Sequence, residues 1–178
     1  MRTGSIPNHV LDWGYDGLAE TLRTLDAAGI AHTGAGRDAV EAAAPAVLEV
    51  PGKGRVLVFS YASPTSGVPW KWAATARRPG VNFLEDTSKK TARRIAREMR
   101  GFNRQCDVIV ASIHWGGNWG YRIRDEETCF AHQLIERGIA VVHGHSSHHV
   151  KTAEIHSDHL ALYDVHVQRS GDFRRVCD

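Results

Sequence analysis

Two apolar runs, Asp107-Val108-Ile109-Val110-Ala111-Ser112-Ile113 and Ile139-Ala140-Val141-Val142, each lead straight into histidine and glycine. Short apolar runs bounded by glycine predict buried strands. The first continues into His114-Trp115-Gly116-Gly117, and the second into His143-Gly144-His145-Ser146-Ser147-His148-His149. Strands that end this way carry imidazoles to the end of a sheet, where ligands bind in open α/β folds. The second cluster alone holds four of the chain's eleven histidines. A third cluster, Pro7-Asn8-His9, lies near the first residue. Neutral imidazole is the commonest protein metal ligand and an Asn carbonyl can join it, so the three clusters point to one metal site assembled from distant pieces.

The rest of the chain alternates strands with helices. Asp16 is the expected N-cap of a helix that turns Leu18, Leu22 and Leu25 to one face and closes at Gly29. Ile30 to Thr33 predicts a short strand, and Asp38 to Ala44 a second helix stopped by Pro45. Ala46–Val50 and Arg55–Tyr61 flank Pro51-Gly52-Lys53-Gly54 as a hairpin. From Ala62 to Leu84 periodicity disappears; this long segment holds Trp70 and Trp72, which either form a binding loop or pack it onto the core. Thr87 to Arg100 is a basic amphipathic helix with Ala92, Ile95, Ala96 and Met99 inward, and its Lys89, Lys90, Arg93, Arg94 and Arg97 form a solvated face. A further helix runs from Glu126 to Arg137 with Cys129 on its core face. His149–His156 and His159–His166 read as a final hairpin around Ser157-Asp158. Met1 to Pro7 carries no pattern. The expected class is α/β or a layered sandwich, as one domain over residues 1–178.

Composition narrows the function classes. A formal charge of +2 is too small to argue for nucleic acid or an anionic membrane. Three cysteines, Cys106, Cys129 and Cys177, form no C-x-x-C pair, which argues against a disulfide framework or a cysteine zinc site. No apolar run approaches the roughly 20 residues of a membrane helix, and the N-terminus has no signal-peptide core, so the expectation is a soluble cytoplasmic chain with no membrane segment. G-x-S-x-G and P-loop motifs are absent, and Gly34-Ala35-Gly36 lacks the third glycine of a dinucleotide fingerprint.

Histidine more often serves as an ordinary hydrogen-bonding residue than as a ligand, and each cluster is weighed against that reading. His145 and His148, three apart after Gly144, and His114 have the strand-then-glycine setting that favours ligation. Trp115 and Trp119 are expected to wall the site and lower its dielectric. Asn8-His9 serves equally as a capping motif. His143 reads as structural, His149 and His156 as solvent-facing, and His159 and His166 as surface.

The order of motifs carries a resemblance. Asn8-His9-Val10-Leu11-Asp12-Trp13-Gly14, Gly29-Ile30 with Gly34-Ala35-Gly36-Arg37, Ser112-Ile113-His114-Trp115-Gly116 and Gly144-His145-x-x-His148 together resemble the CapA family of poly-gamma-glutamate capsule-synthesis proteins. The resemblance covers a core over residues 8–163 and leaves 164–178 as a divergent tail. It implies a partial four-layer α/β/β/α metallophosphoesterase-like sandwich with a site for divalent metal (Mn, Zn or Fe), two ions in the full family fold. Carried across, Asn8, His114, His145 and His148 are metal ligands and His9 is the catalytic, proton-donating histidine. The family pattern places its last two histidines two apart, whereas Ser146 stands there in this chain. Its acidic ligands precede Asn-His in a Gly-Asp and an Asn-x-Glu, and this chain has neither. The expectation is therefore at most one well-bound metal and weak or no hydrolysis, because histidine and asparagine alone offset two dications poorly.

Three readings compete: a metal-dependent phosphoesterase-like hydrolase of capsule synthesis, a non-catalytic metal-binding or binding module of the same fold, and a structural protein whose histidines pair with backbone. A carboxylate from Asp12 or Asp16 in the histidine cluster favours the first. The small-molecule or polymer substrate is unspecified, and an uncovered sheet edge predicts a homo-oligomer.

Overall fold

A computed structural model describes residues 3–5 and 9–164. Six strands form the main sheet: β4 (Ala46–Val50), β5 (Gly54–Ala62), β7 (Val108–His114), β8 (Val141–His145), β9 (Ala153–His156) and β10 (His159–Leu162), in the order β4-β5-β7-β8-β10-β9. The inner four run parallel, and the two outer strands pair antiparallel with their hairpin partners. Parallel neighbours need crossovers. Helix α3 (Lys89–Arg100) lies in the one between β5 and β7, α4 (Asp125–Ile135) in the one between β7 and β8, and β9 in the one between β8 and β10.

The pleat divides the sheet by chemistry. Leu57, Phe59 and Tyr61 of β5, Ile109, Ala111 and Ile113 of β7, Val142 of β8 and Ala161 of β10 face the core that Ala92, Ile95, Ala96 and Met99 of α3 and Phe130, Ala131 and Leu134 of α4 complete. Alternation by two puts Ser112, His114, His143 and His145 on the opposite face. The runs that look uniformly apolar in sequence are thus two-faced, with a polar face toward the second layer.

That second layer is built from short pieces. β1 (Thr3–Ser5) pairs in parallel with β2 (Ala31–Thr33), and β3 (Ala35–Gly36) pairs with β6 (Gly80–Val81). β2 touches both β4 and β5. Helix α1 (Gly14–Ala27) buries Leu18 and Leu22 in a separate core with Val10, Leu11, Ala35, Ala62, Val68 and Val81. Helices, main sheet, short-stranded layer and α1 give the partial α/β/β/α sandwich expected from the sequence.

Several local expectations are corrected. Thr3–Ser5, patternless in sequence, is a strand because β2 offers it a free edge. Helix α1 starts at Gly14 and has no side-chain cap, so Asp16 sits in its first turn instead of capping it; its other end closes as predicted, with Gly29 N–H on Asp26 and Ile30 N–H on Leu25. Leu25 is only half-buried. Helix α2 (Ala39–Ala43) is capped by Asp38, whose carboxylate accepts from the amides of Val40 and Glu41. Cys129 is exposed, because α4 turns Phe130, Ala131 and Leu134 inward and leaves position 129 outside that arc. The final hairpin is shorter than expected, turning at Ser157 and Asp158 with φ of 49° and 61°. In the segment after β5, Trp70 packs on Phe83 at 4.8 Å and Trp72 packs against the second core.

Candidate functional site

The site grows from one register. β7 and β8 pair so that His114 lies opposite His145, each the last residue of its strand. Their rings meet on the polar face with Nδ1 atoms 3.0 Å apart. His143 sits one pleat earlier, stacked 5.5 Å from His145, with its Nδ1 3.3 Å from the Ser112 hydroxyl. Gly144 between them is forced by its other face: an added Cβ would lie 2.4 Å from Trp115 Nε1 and 2.6 Å from the Tyr163 carbonyl. The end of β7 is pinned by the segment after β5, where the Ser63 amide and the Ser66 hydroxyl both donate to the His114 carbonyl.

Burial sets the charge of the pair. It lowers His114 to about 4, partly offset by the nearby Asp164 carboxylate. It lowers His145 to about 3, helped by His114 and His143. Both rings are neutral near pH 7, the state that ligates metals and takes part in proton transfer. One shared proton satisfies the facing Nδ1 atoms, while both Nε2 atoms are buried without a partner. Such orphaned polar atoms are uncommon in folded proteins and call for a role beyond packing.

The other predicted residues are placed differently. His148 is exposed and stacked on Trp119 at 5.6 Å, its amide held by the Asn118 carbonyl. The reason is the turn after β8, where Ser146 takes a φ of 157° and the Ser147 amide is held 2.5 Å from Asp164. His9 is 79% exposed with Nδ1 2.6 Å from Asp12, although its charge still acts on His114. Asn8 lies outside the described residues, as does His166. Trp115 and Trp119 do not wall the pair: Trp115 is buried in the main core against Phe130, and Trp119 is 76% exposed. His149 is half-buried, with Nε2 3.2 Å from the Gly120 carbonyl, and His156 stacks on His132 at 3.7 Å, so neither simply faces solvent.

Neither Asp12 nor Asp16 brings a carboxylate to the pair; both are exposed. Asp164 does, at 1% exposure, two residues past the end of β10. Sequence reasoning placed it in the divergent tail. The signal was the alternation Leu160, Leu162, Asp164, which continues one face of the strand.

Two nitrogens 3.0 Å apart suit neighbouring positions on one ion with metal–nitrogen bonds of about 2.1 Å. Among the described residues no group of three or more His, Cys, Asp or Glu is placed to hold a metal ion. Among the described residues the pair by itself does not amount to a two-metal centre.

Fold and site define an α/β-sandwich protein with a histidine-bearing sheet face. The chain belongs to the family described as bacterial capsule synthesis protein PGA_cap, whose profile matches residues 7–165. The resemblance read from its motifs is thereby borne out. It is 43% identical over 157 residues to a protein named probable polyglutamine synthesis accessory protein in two strains of Mycobacterium tuberculosis, covering 88% of this chain and 41% of the relative. It is 21% identical over 159 residues to the capsule biosynthesis protein CapA of Bacillus anthracis, covering 89% of this chain and 37% of that protein. The chain thus spans about two fifths of the length of these relatives. No helix of the described residues is long and apolar enough to cross a membrane.

Proposed function

We propose that the chain serves capsule or poly-gamma-glutamate synthesis through a metallophosphoesterase-like site that holds one divalent ion (Mn, Zn or Fe) at His114 and His145. The observation that carries this reading is the facing pair of neutral imidazoles, His114 buried and His145 partly buried, at the ends of adjacent parallel strands. Asn8 and His148 are the further ligands the family pattern supplies; for His148 to join, the turn after β8, held through the buried Ser147, would have to rearrange. A bound ion would polarise a phosphoryl oxygen and lower the pKa of its water. Asp164 adds negative charge beside the pair and holds the turn through Ser147. His9 is suited to proton donation: Asp12 fixes its Nδ1 side and leaves Nε2 toward solvent and substrate. Polymer or small-molecule substrate reaches the site from this exposed side.

With one ion and few carboxylates, turnover is expected to be weak. The test is calorimetric titration of the metal-free chain with Zn²⁺ and Mn²⁺, with hydrolysis of bis(p-nitrophenyl) phosphate followed in parallel. About one ion per chain, lost in His145→Ala and weakened in His148→Ala, with little turnover, is the expected result. Two ions per chain with strong turnover would show a complete hydrolase centre instead. Histidine NMR signals indifferent to either metal would leave the pair a structural contact.

A further inference from the structure

Among the described residues the main sheet ends on β4 at one side and β9 at the other. The two edges are finished differently. Pro45 and Pro51 flank β4, and β2 of the second layer lies against it. β9 reads Ala153-Glu154-Ile155-His156 in unbroken register with β10, with none of the proline, lysine or bulge that usually blunts an open strand.

The hairpin turn fixes which groups that edge presents. Ser157 and Asp158, at φ of 49° and 61°, make a two-residue loop, so the flanking His156 and His159 form a hydrogen-bonded pair. Bonded and unbonded pairs alternate along an antiparallel ladder. Glu154 therefore also bonds inward, to Ala161, as the Thr152 carbonyl does to the Tyr163 amide. The amides and carbonyls of Ala153 and Ile155 point outward. Glu154 meets His132 of α4, so Ile155 beside it faces away from that helix. There Ile155 is 77% exposed and lies directly opposite the partly exposed Leu160.

We infer that β9 pairs antiparallel with β9 of a second copy of this chain, about a two-fold axis at Ile155. Ile155 then exchanges both of its outward hydrogen bonds with the partner's Ile155. Glu154 comes opposite the partner's His156, at the closer spacing of an unbonded pair. An apolar row runs from Leu160 through Ile155 and the partner's Ile155 to the partner's Leu160. Charge selects this register over its neighbours. A slip that keeps the two-fold and the faces sets Glu154 against the partner's Glu154 in one direction and against the partner's Asp158 in the other. Like charges directly opposite are destabilising. A four-residue strand makes a small interface, so the dimer is weak and forms at high protein concentration.

The test is sedimentation equilibrium of the full chain, from low micromolar to near-millimolar concentration, on wild type, Ile155→Lys and Ile155→Glu. Wild type is expected to dimerise as concentration rises. Each variant sets like charges across the axis and should weaken the dimer at least about tenfold. Its urea midpoint should stay unchanged, because the side chain is exposed. An equimolar mixture of the two variants should dimerise again, since opposite charges then meet at position 155. Wild type that stays monomeric throughout would overturn the inference. So would a dimer that both variants retain, which would place the contact elsewhere. A mixture that stays monomeric would refute pairing at Ile155, with the same consequence.

Discussion

His114 and His145 make stability depend on pH in a stated direction. Burial depresses both, to about 4 and about 3, whereas an unfolded histidine titrates near 6.5. Below pH ~6.5 the unfolded chain takes up protons that the folded chain refuses, so stability falls as pH drops toward about 4. Each ring contributes a slope of up to about 1.4 kcal/mol per pH unit in that window. Urea midpoints measured with chelator at several values from pH 7.5 to 5 should decline, and less steeply in His145→Gln. A midpoint that is flat or rises with acid would contradict the burial. Gly144 gives a second residue-scale prediction. Gly144→Ala drives a methyl into Trp115 and the Tyr163 carbonyl, and overpacking of this kind costs about 1–3 kcal/mol, measurable by equilibrium denaturation.

At the scale of elements, α3 is the most self-sufficient helix. Ser88 caps it through the Thr91 amide, and Thr91 in turn donates to Asp86. Ser88→Ala should cost about 1 kcal/mol. Met99→Ala, at a fully buried position, should cost about 2–5 kcal/mol, while the exposed Arg93→Ala should stay within about 0.5 kcal/mol. A large effect at Arg93 would mean that this basic face is covered by a partner. The inward positions of this helix were legible because a 3.6-residue period marks its buried face. β1 was not legible: three residues hold no period, and only the partner strand makes Thr3–Ser5 a strand. Cys129 shows the same limit, since a helix with apolar residues on several sides does not announce which side the sheet takes.

For the whole molecule, two cores that share no residues imply uneven stability. The main core spans long parallel strands and two helices, whereas the second joins α1, the two-residue strands β3 and β6, the end of β5 and loop residues. Native-state hydrogen exchange should find β5 and β7 amides the slowest, with β2 and β6 opening at lower free energy. Equal protection across both layers would show one cooperative unit.

The histidine-bearing strands, the helices between them and the family were readable from sequence, because each is written in local pattern: apolar runs, glycine punctuation and motif order. The tertiary structure decided what those histidines face. Pairing of β7 with β8 set His114 against His145, and the pleat turned Trp115 into the opposite core. The turn after β8 carried His148 out to Trp119, and β10, lying beside β8, brought Asp164 in from a stretch that reads as tail. Register between strands distant in sequence has no local signature; it is chosen by the packing of both sheet faces at once.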